Sequence, residues 1–229
     1  MSSEISTARL VIQSIVWFGI ICALLFGGAG TVAWPEGRLY ILMQFSSWAI
    51  MVLWLKKYNP ELLKERAELW KRVTKPWDKA IVFLLIAGFI PLFVLPGLDA
   101  IRYQWSDVPL PLKILGFAGI LVSSGLIFWV LKTNPYSSAV VEVQKERGHK
   151  TITTGPYQFV RHPMYVGAIL WFVFTPLALG SLVAFIPGIV LTALIVVRTY
   201  LEDKTLHQEL EGYAAYAETV KHRLIPGVW

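Results

Sequence analysis

A polar segment that leads into an apolar stretch carries several residues able to bind a charged ligand. It runs from His149 through Gly155-Pro156 to Arg161-His162-Pro163. Gly-Pro is typical of a turn, a residue before proline favours extended backbone, and proline suits the first position of a helix. The sequence therefore predicts a loop with free backbone N–H groups at a helix start, where a carboxylate or phosphate could bind. The alternative is that Arg161 and Lys150 only reflect the positive charge of cytoplasmic loops.

Arg198 and Glu202 form a second candidate pair, because they follow the apolar run 184–197 with almost no polar transition. Ionisable side chains so close to an apolar span are costly, and this favours a functional role. The alternative is a helical i,i+4 ion pair, which contributes only about 0.2–0.5 kcal/mol and is weaker when Arg precedes Glu.

Two other kinds of site have little support. The single cysteine, Cys22, excludes a disulfide framework and a cysteine-based metal site, and no metal site is predicted. Gly28, Gly30 and Ala33 match a relaxed dinucleotide fingerprint, but they lie in an apolar stretch with no strand before it. Small residues there favour close helix packing instead.

Composition places these residues in a membrane protein. Of the 229 residues, 55% are hydrophobic and 16% are charged, and the mean hydropathy is +0.57. Apolar runs of roughly the 17 to 25 residues that cross a bilayer predict spans at about 10–34, 39–55, 80–98 and 111–131. The net charge of +6 does not indicate nucleic acid, because the basic residues collect in short segments between these runs. We expect residues 1–229 to form a single all-α membrane domain, with four spans in 1–131.

The remaining residues, 132–229, are predicted to hold the loop, a helical hairpin and a tail helix. The stretch 164–200 is too long for one helix, and Leu179-Gly180-Ser181 permits a tight turn within it. Beyond Leu206, apolar residues recur at spacings of three and four, which predicts an amphipathic helix against the bundle or the membrane interface. Tyr213 and Tyr216 on this helix fit either a site lining or interfacial aromatics, and we favour the interfacial role.

The distribution of Lys and Arg predicts the orientation of this multi-pass protein. The loop between the second and third predicted spans holds eight basic residues, Lys56, Lys57, Lys64, Arg66, Lys71, Arg72, Lys75 and Lys79. This loop is expected to be cytoplasmic, and alternation places both termini and the segment 132–161 on the same side. The sequence carries no signal for an oligomeric state.

The ordered set Gly155-Pro156-Tyr157, Val160 to Gly167 and Arg198 to Leu206 resembles the isoprenylcysteine carboxyl methyltransferase family. The resemblance extends over about the C-terminal 100 residues and includes Tyr213, Tyr216, Arg223 and Pro226. It implies a membrane-embedded methyltransferase that uses S-adenosylmethionine, held by the loop and the last helices on the cytosolic side. The implied acceptor is an apolar carboxylate, either lipidic or prenylated.

The resemblance also assigns expected roles to residues. Arg198 and Glu202 are the expected catalytic residues, and Arg198 would face the substrate carboxylate. A family glutamine corresponds to Glu142 by spacing or to Gln144 by residue type, and Asp203 stands where a second glutamate is common. The expected cofactor-binding residues are Gln144, His149, Lys150, Thr151, Ile152, Tyr157, His162, Pro163, Met164, Tyr165 and Glu202.

Three alternatives remain at this point. Membrane enzymes that methylate phospholipid amines share a similar C-terminal pattern, so the acceptor could be an amine or a thiol. Sterol reductases have C-terminal regions that resemble this one but use a nicotinamide cofactor. A transporter or scaffold is the third alternative, although the sequence has no paired broken helices in two halves.

Overall fold

The computed structural model describes residues 7–229, with side chains for residues 8–69 and 72–229. Helices connected by turns and loops make up this part of the chain. In chain order they are α1 (Thr7–Ala29), α2 (Pro35–Tyr58), α3 (Pro60–Ala67), α4 (Leu69–Arg72), α5 (Pro76–Gly97), α6 (Leu110–Thr133), α7 (Pro163–Leu179), α8 (Phe185–Glu209) and α9 (Tyr213–Thr219). A π-helical turn, Leu98–Tyr103, extends α5, and short 3-10 turns lie at Lys145–Arg147 and Gly155–Gln158.

Within residues 7–229, five helices are long and apolar enough to cross a membrane: α1, α2, α5 with its π-helical extension, α6 and α8. The sixth long helix, α7, has 17 residues and a length of roughly 26 Å at 1.5 Å per residue. It forms a hairpin with α8 at Gly180, whose φ of +75° ends α7. The predicted all-α, polytopic bundle and its C-terminal hairpin are confirmed, and the chain is an integral membrane protein.

The first predicted span, 10–34, extends too far. Gly30 has a φ of +71° and ends α1, whereas Trp34 precedes Pro35 at the start of α2. Gly28 lies against α5, because an added Cβ would come within 2.5 Å of the Val94 carbonyl oxygen. Of the two glycines that resemble a dinucleotide fingerprint, Gly28 therefore serves close helix packing, as expected, whereas Gly30 ends α1.

Helices α6 and α7 pack closely and antiparallel, and this contact fixes the start of α7. A Cβ on Gly116 would lie 2.3 Å from the Ala178 backbone nitrogen, and one on Gly119 would lie 2.2 Å from the Phe174 ring. Nearer the other end, the Ser123 hydroxyl donates to the Gly167 carbonyl at 2.7 Å. The small residues on α6 let the two backbones approach, as is common in membrane helices.

The predicted tail helix has different bounds in the structure. Helix α8 continues to Glu209, so Leu206 belongs to α8, and Gly212 with a φ of +78° separates α8 from the seven-residue α9. A single amphipathic helix from Leu206 to Val220 was therefore the wrong prediction. The left-handed turn at Gly212 interrupts the helical spacing, which the apolar pattern alone does not reveal.

Polar contacts identify the two ends of the bundle. Arg9 of α1 pairs with Glu68, which lies between α3 and α4, and Lys75 before α5 pairs with Glu209 at the end of α8. We call this the site end. The α7–α8 turn lies at the opposite end, near a core formed by Leu25, Trp34, Tyr40, Phe93 and Leu179. That the site end faces the cytoplasm stays a prediction.

Candidate active site

A cavity of about 910 Å³ lies at the site end. This volume is within the range of roughly 300–1,000 Å³ that small-molecule sites occupy. The loop 134–162 and α9 contribute most of its polar lining, which includes Asn134, Tyr136, Ser137, Glu142, His149, Thr151, Tyr157, Tyr213 and Tyr216. Helices α1, α5, α7 and α8 contribute most of its apolar lining, which includes Trp17, Val82, Leu85, Ile86, Phe89, Phe172 and Ile195.

The lining changes from polar to apolar along individual helices. On α7 the lining begins with Pro163 and Met164 in the first turn. It continues with Tyr165, Ala168 and Phe172, which are spaced so that all three lie on one face. On α8 the lining includes Leu206 near the C-terminal end of the helix, then Glu202 and Arg198, and then the apolar Ile195. The guanidinium group of Arg198 therefore lies where the polar part of the cavity meets the apolar part.

Arg198 is held in place by neighbours from distant parts of the chain. Its Nε–H donates to Asp78 Oδ1 at 2.8 Å, and its Nη2–H donates to the Ala139 carbonyl at 2.9 Å. The guanidinium carbon lies 5.6 Å from the centre of the Tyr165 ring. Asp78 is buried at the start of α5, and its other oxygen accepts from the Val141 N–H at 3.0 Å. The ion pair thus fixes both the guanidinium group and the loop beside it.

Glu202 has a different partner. The Tyr165 hydroxyl donates to Glu202 Oε2, and both side chains line the cavity. Within residues 7–229 no ion pair joins Arg198 to Glu202, so the alternative of a helical i,i+4 pair is wrong. Asp78 takes the place of Glu202 as the partner of Arg198, which leaves one Glu202 oxygen for a ligand.

Asp203 lies behind the cavity and connects the loop to the tail. It accepts from Arg161 Nε and from Arg223 Nε, both at 2.8 Å, and from the Tyr213 hydroxyl at 2.8 Å. The His162 ring nitrogen is 3.2 Å from the same carboxylate. Burial opposes the charge on Arg161, but the hydrogen bonds and charge of Asp203 outweigh this and raise the Arg161 pKa. Asp203 therefore positions His162 and Tyr213, both of which line the cavity.

The backbone N–H groups before α7 are not free, contrary to the prediction. The N–H of Arg161 donates to the His222 carbonyl at 2.9 Å, and that of His162 donates to the Arg223 carbonyl at 3.0 Å. The Arg161 side chain is also engaged, through Asp203 and the Val220 carbonyl. Carbonyl groups of the C-terminal tail accept these hydrogen bonds. Few N–H donors are therefore left for the anion that was expected to bind at this helix start.

His149 lines the cavity as a neutral side chain. Its ring stacks on Tyr136 with centroids 4.4 Å apart, and its Nδ1 accepts from the Gln144 N–H at 3.3 Å. Burial and the nearby charge of Arg147 lower the His149 pKa to about 4. Because Nδ1 accepts, the neutral ring carries its proton on Nε2, which makes Nε2–H the donor available to a ligand.

The structure brings most of the predicted cofactor-binding residues to this one cavity. Those that line it are His149, Thr151, Ile152, Tyr157, His162, Pro163, Met164, Tyr165 and Glu202. Gln144 and Lys150 are not among the lining residues, and the Gln144 amide instead contacts Arg147 and the Tyr136 carbonyl. Glu142 does line the cavity and pairs with Arg72 at 2.8 Å. The binding roles of all these residues stay predictions.

Tyr213 and Tyr216 are buried and line the cavity, so their interpretation as interfacial aromatics was wrong. The Tyr216 hydroxyl donates to the Tyr157 carbonyl at 2.7 Å. Burial raises the pKa of Tyr157 to about 12 and also raises the pKa values of Tyr213 and Tyr216. All three phenols therefore stay protonated at neutral pH. The short α9 and its turn at Gly212 direct this aromatic pair inward.

Arg66 of α3 also lines the cavity and was not singled out by the sequence. Its Nη1–H donates to the Ser137 carbonyl at 2.8 Å. Burial and the charge of Arg198 lower the Arg66 pKa to about 10, so the side chain stays charged at neutral pH. In the sequence Arg66 is one of eight basic residues in a single loop, and no local signal separates it from the other seven.

Comparisons with known proteins agree with the resemblance noted in the sequence. Residues 115–208, which extend from α6 into α8, match the family model described as the isoprenylcysteine carboxyl methyltransferase family. The chain is 26% identical over 151 residues to protein-S-isoprenylcysteine O-methyltransferase B of Arabidopsis thaliana, covering 65% of this chain and 73% of the plant protein. It is 24% identical over 147 residues to protein-S-isoprenylcysteine O-methyltransferase of Dictyostelium discoideum, covering 63% of this chain and 56% of that protein.

Proposed function

We propose that this chain, whose residues 115–208 match the isoprenylcysteine carboxyl methyltransferase family model, transfers a methyl group from S-adenosylmethionine to the carboxylate of an isoprenylated cysteine. The observation that carries this proposal is the cavity with a polar and an apolar part that meet at Arg198. A ligand with a charged head and a long apolar tail needs both environments. A carboxylate at the boundary would meet a fixed guanidinium group.

The polar part of the cavity fits S-adenosylmethionine. Glu202 offers a carboxylate oxygen for the cofactor's amino group, and the His149 Nε2–H is a second polar group that lines the cavity. The rings of Tyr157, Tyr213 and Tyr216 supply flat apolar surface for an adenine base. When bound, S-adenosylmethionine supplies a methyl group on a positively charged sulfur that leaves as a neutral thioether.

The apolar part fits an isoprenyl chain. Val82, Leu85, Ile86 and Phe89 of α5 and Phe172 of α7 line this part of the cavity, so a branched hydrocarbon would bury its surface there. Burial of each CH₂ group contributes about 0.8 kcal/mol. Affinity for the acceptor should therefore depend strongly on the hydrocarbon tail.

The residues present suit methyl transfer to a carboxylate without a protein nucleophile. An acceptor carboxylate is already ionised at neutral pH, so no side chain has to remove a proton. The chain's own contribution is to hold the carboxylate with Arg198 and to exclude water by its buried phenols and apolar lining. Asp78 and the Ala139 carbonyl fix the guanidinium group in advance, which reduces the ordering required on binding.

The charges in the cavity disfavour an amine acceptor. Arg66 and Arg198 are both cations that line it, and a protonated phospholipid amine would be repelled by each. Reduction of a sterol is likewise not favoured by the family match.

The first experiment measures methylation and cofactor affinity with the detergent-purified full chain. We expect S-adenosylmethionine-dependent methyl transfer to N-acetyl-S-farnesylcysteine, and little transfer to the corresponding S-methyl compound or to phosphatidylethanolamine. Glu202→Gln should weaken S-adenosylhomocysteine binding, measured by calorimetry, by about tenfold or more, since a charged hydrogen bond contributes roughly 1.5–3 kcal/mol. Arg198→Lys should mainly raise the KM for the acceptor.

Lys204→Gln is the matched control, because Lys204 lies on the same helix but is exposed. It should retain both cofactor affinity and acceptor KM. Absence of S-adenosylhomocysteine binding in folded wild-type protein, or equal methylation of the farnesyl and S-methyl compounds, contradicts the proposal.

A further inference from the structure

Four arginines line the cavity, and one of them differs from the others in its partners. Within residues 7–229 Arg66 has no carboxylate within ion-pair distance, whereas the other three do. Those three pairs are Arg9 with Glu68 at 3.3 Å, Arg161 with Asp203 at 2.8 Å and Arg198 with Asp78 at 2.8 Å. The single hydrogen bond found for Arg66 in this part of the chain goes to the Ser137 carbonyl.

Glu61 and Glu65, the acidic residues of the same helix as Arg66, already pair with other arginines. Glu61 and Glu65 both pair with Arg147, and Glu65 also lies 3.6 Å from Arg72. These acids belong to α3 itself, so the helix directs them toward the loop 142–147 and directs Arg66 toward the cavity. The chain thus has carboxylates near Arg66 and pairs them with other arginines.

Arg66 and Arg198 donate to two backbone carbonyls that lie close together in the same loop. Arg66 contacts the Ser137 carbonyl and Arg198 contacts the Ala139 carbonyl, so two cations share a short stretch of the cavity lining. A partly buried cation without a counter-charge is costly, and a second cation nearby adds repulsion. A negative ligand between them would relieve both costs.

We propose that Arg66 binds a carboxylate of a ligand in this cavity, acting together with Arg198. The proposal rests on the proposed function, which supplies two carboxylates: that of the acceptor and that of the methionine part of the cofactor. The start of α7 is a poor competitor for either one, because the N–H groups of Arg161 and His162 and the Arg161 side chain are engaged.

This assignment gives the N-terminal part of the chain a direct role in the site. Arg66 lies outside residues 115–208, the segment that matches the family model. Ligand recognition would therefore combine Arg198 from the matched segment with Arg66 from α3. Because Arg66 lines the cavity but lies outside the matched segment, we expect it to help determine which carboxylate ligand the site accepts.

The test compares ligands that differ in a carboxylate, using detergent-purified full chain. One pair is S-adenosylhomocysteine and 5′-methylthioadenosine, which lacks the amino-acid group. The other pair is N-acetyl-S-farnesylcysteine and its primary amide, bound in the presence of S-adenosylhomocysteine. For each pair the ratio of the two Kd values is measured by calorimetry in wild type, Arg66→Gln, Arg66→Lys and Lys64→Gln.

Lys64→Gln is the matched control, because it removes one positive charge from α3 at a residue that does not line the cavity. We expect Arg66→Gln to reduce the preference for the carboxylate ligand about tenfold in one of the pairs, the usual effect of a charged hydrogen bond. Arg66→Lys should restore part of that preference, and Lys64→Gln should leave it unchanged.

The two pairs identify the carboxylate that Arg66 binds. A change limited to the acid and amide pair assigns Arg66 to the acceptor, and a change limited to the nucleoside pair assigns it to the cofactor. Unchanged ratios in Arg66→Gln, or an equal loss of affinity for all four ligands, overturn the inference and leave the proposed function intact. A wild-type protein that binds neither pair overturns both.

Discussion

Two buried acidic residues near the cavity each pair with two arginines. Asp203 of α8 binds Arg161 and Arg223, both at 2.8 Å. Glu65 of α3 binds Arg147 at 3.0 Å and lies 3.6 Å from Arg72. Both carboxylates are buried, and both connect a helix to a neighbouring loop or tail.

The arginines that pair with Glu65 differ from those that pair with Asp203 in the number of other acidic residues with which they also pair. On the Glu65 side, Arg147 also pairs with Glu61, and Arg72 also pairs with Glu142. On the Asp203 side, the described residues offer Arg161 and Arg223 no second carboxylate, and Asp203 additionally accepts from Tyr213. The C-terminal side of the cavity therefore depends on a single residue, whereas the N-terminal side distributes its charges over three.

The largest expected effect comes from Asp203→Ala. Removal of one partner of a buried ion pair costs about 3–5 kcal/mol, because the other charge is left uncompensated. Here the loss would also free the tail that pairs with residues 161 and 162. We expect a markedly lower thermal midpoint of the detergent-purified protein, measured by intrinsic fluorescence.

Asp107→Ala is the control for this measurement, because Asp107 is exposed in the connection between the π-helical turn and α6. It should change the midpoint little. Equal midpoints for the two variants would show that Asp203 does not hold the C-terminal side together.

The same comparison explains what the sequence could predict. Hydropathy is a local property, so the spans after the first, the hairpin and its turn at Gly180 were predicted close to their observed bounds. The residues from His162 to Tyr165, together with Glu202, were found because a short ordered motif contains them. By contrast, the Arg198–Asp78 pair joins residues 120 positions apart, and the pairing of residues 161 and 162 with the tail depends on the folded backbone. For the same reason Arg66 was not singled out, because its position at the cavity and the pairing of the neighbouring Glu61 and Glu65 with Arg147 are visible only in the folded chain.

A second prediction concerns pH and the loop that joins the two sides. The His149 pKa in the folded chain is about 4, below the ordinary value of about 6.5. Between these values the unfolded chain binds a proton at His149 that the folded chain does not, so stability falls as the pH is lowered through this window. The stability that His149 provides by staying neutral in the folded chain is fully present at pH values above its ordinary pKa. We expect the thermal midpoint of His149→Gln to fall less than that of wild type between about pH 6.5 and about pH 4, the window set by the two pKa values.

His222→Gln serves as the comparison, because it removes an imidazole from the tail instead of the loop. Its pH dependence should follow that of wild type. If both variants show the wild-type decrease in midpoint, then protonation of His149 does not contribute to the acid sensitivity of the site.

The smallest expected effect is that of Glu65→Gln, and it tests the shared pairing on the N-terminal side. Burial raises the Glu65 pKa even though Arg147 and Arg72 oppose this, so desolvation outweighs their attraction. The carboxylate charge therefore contributes little net stability, and Glu61 and Glu142 remain to pair the two arginines. We expect a loss of no more than about 1 kcal/mol, similar to that of a surface ion pair. A loss as large as that of Asp203→Ala would mean that the two sides of the cavity are held in the same way.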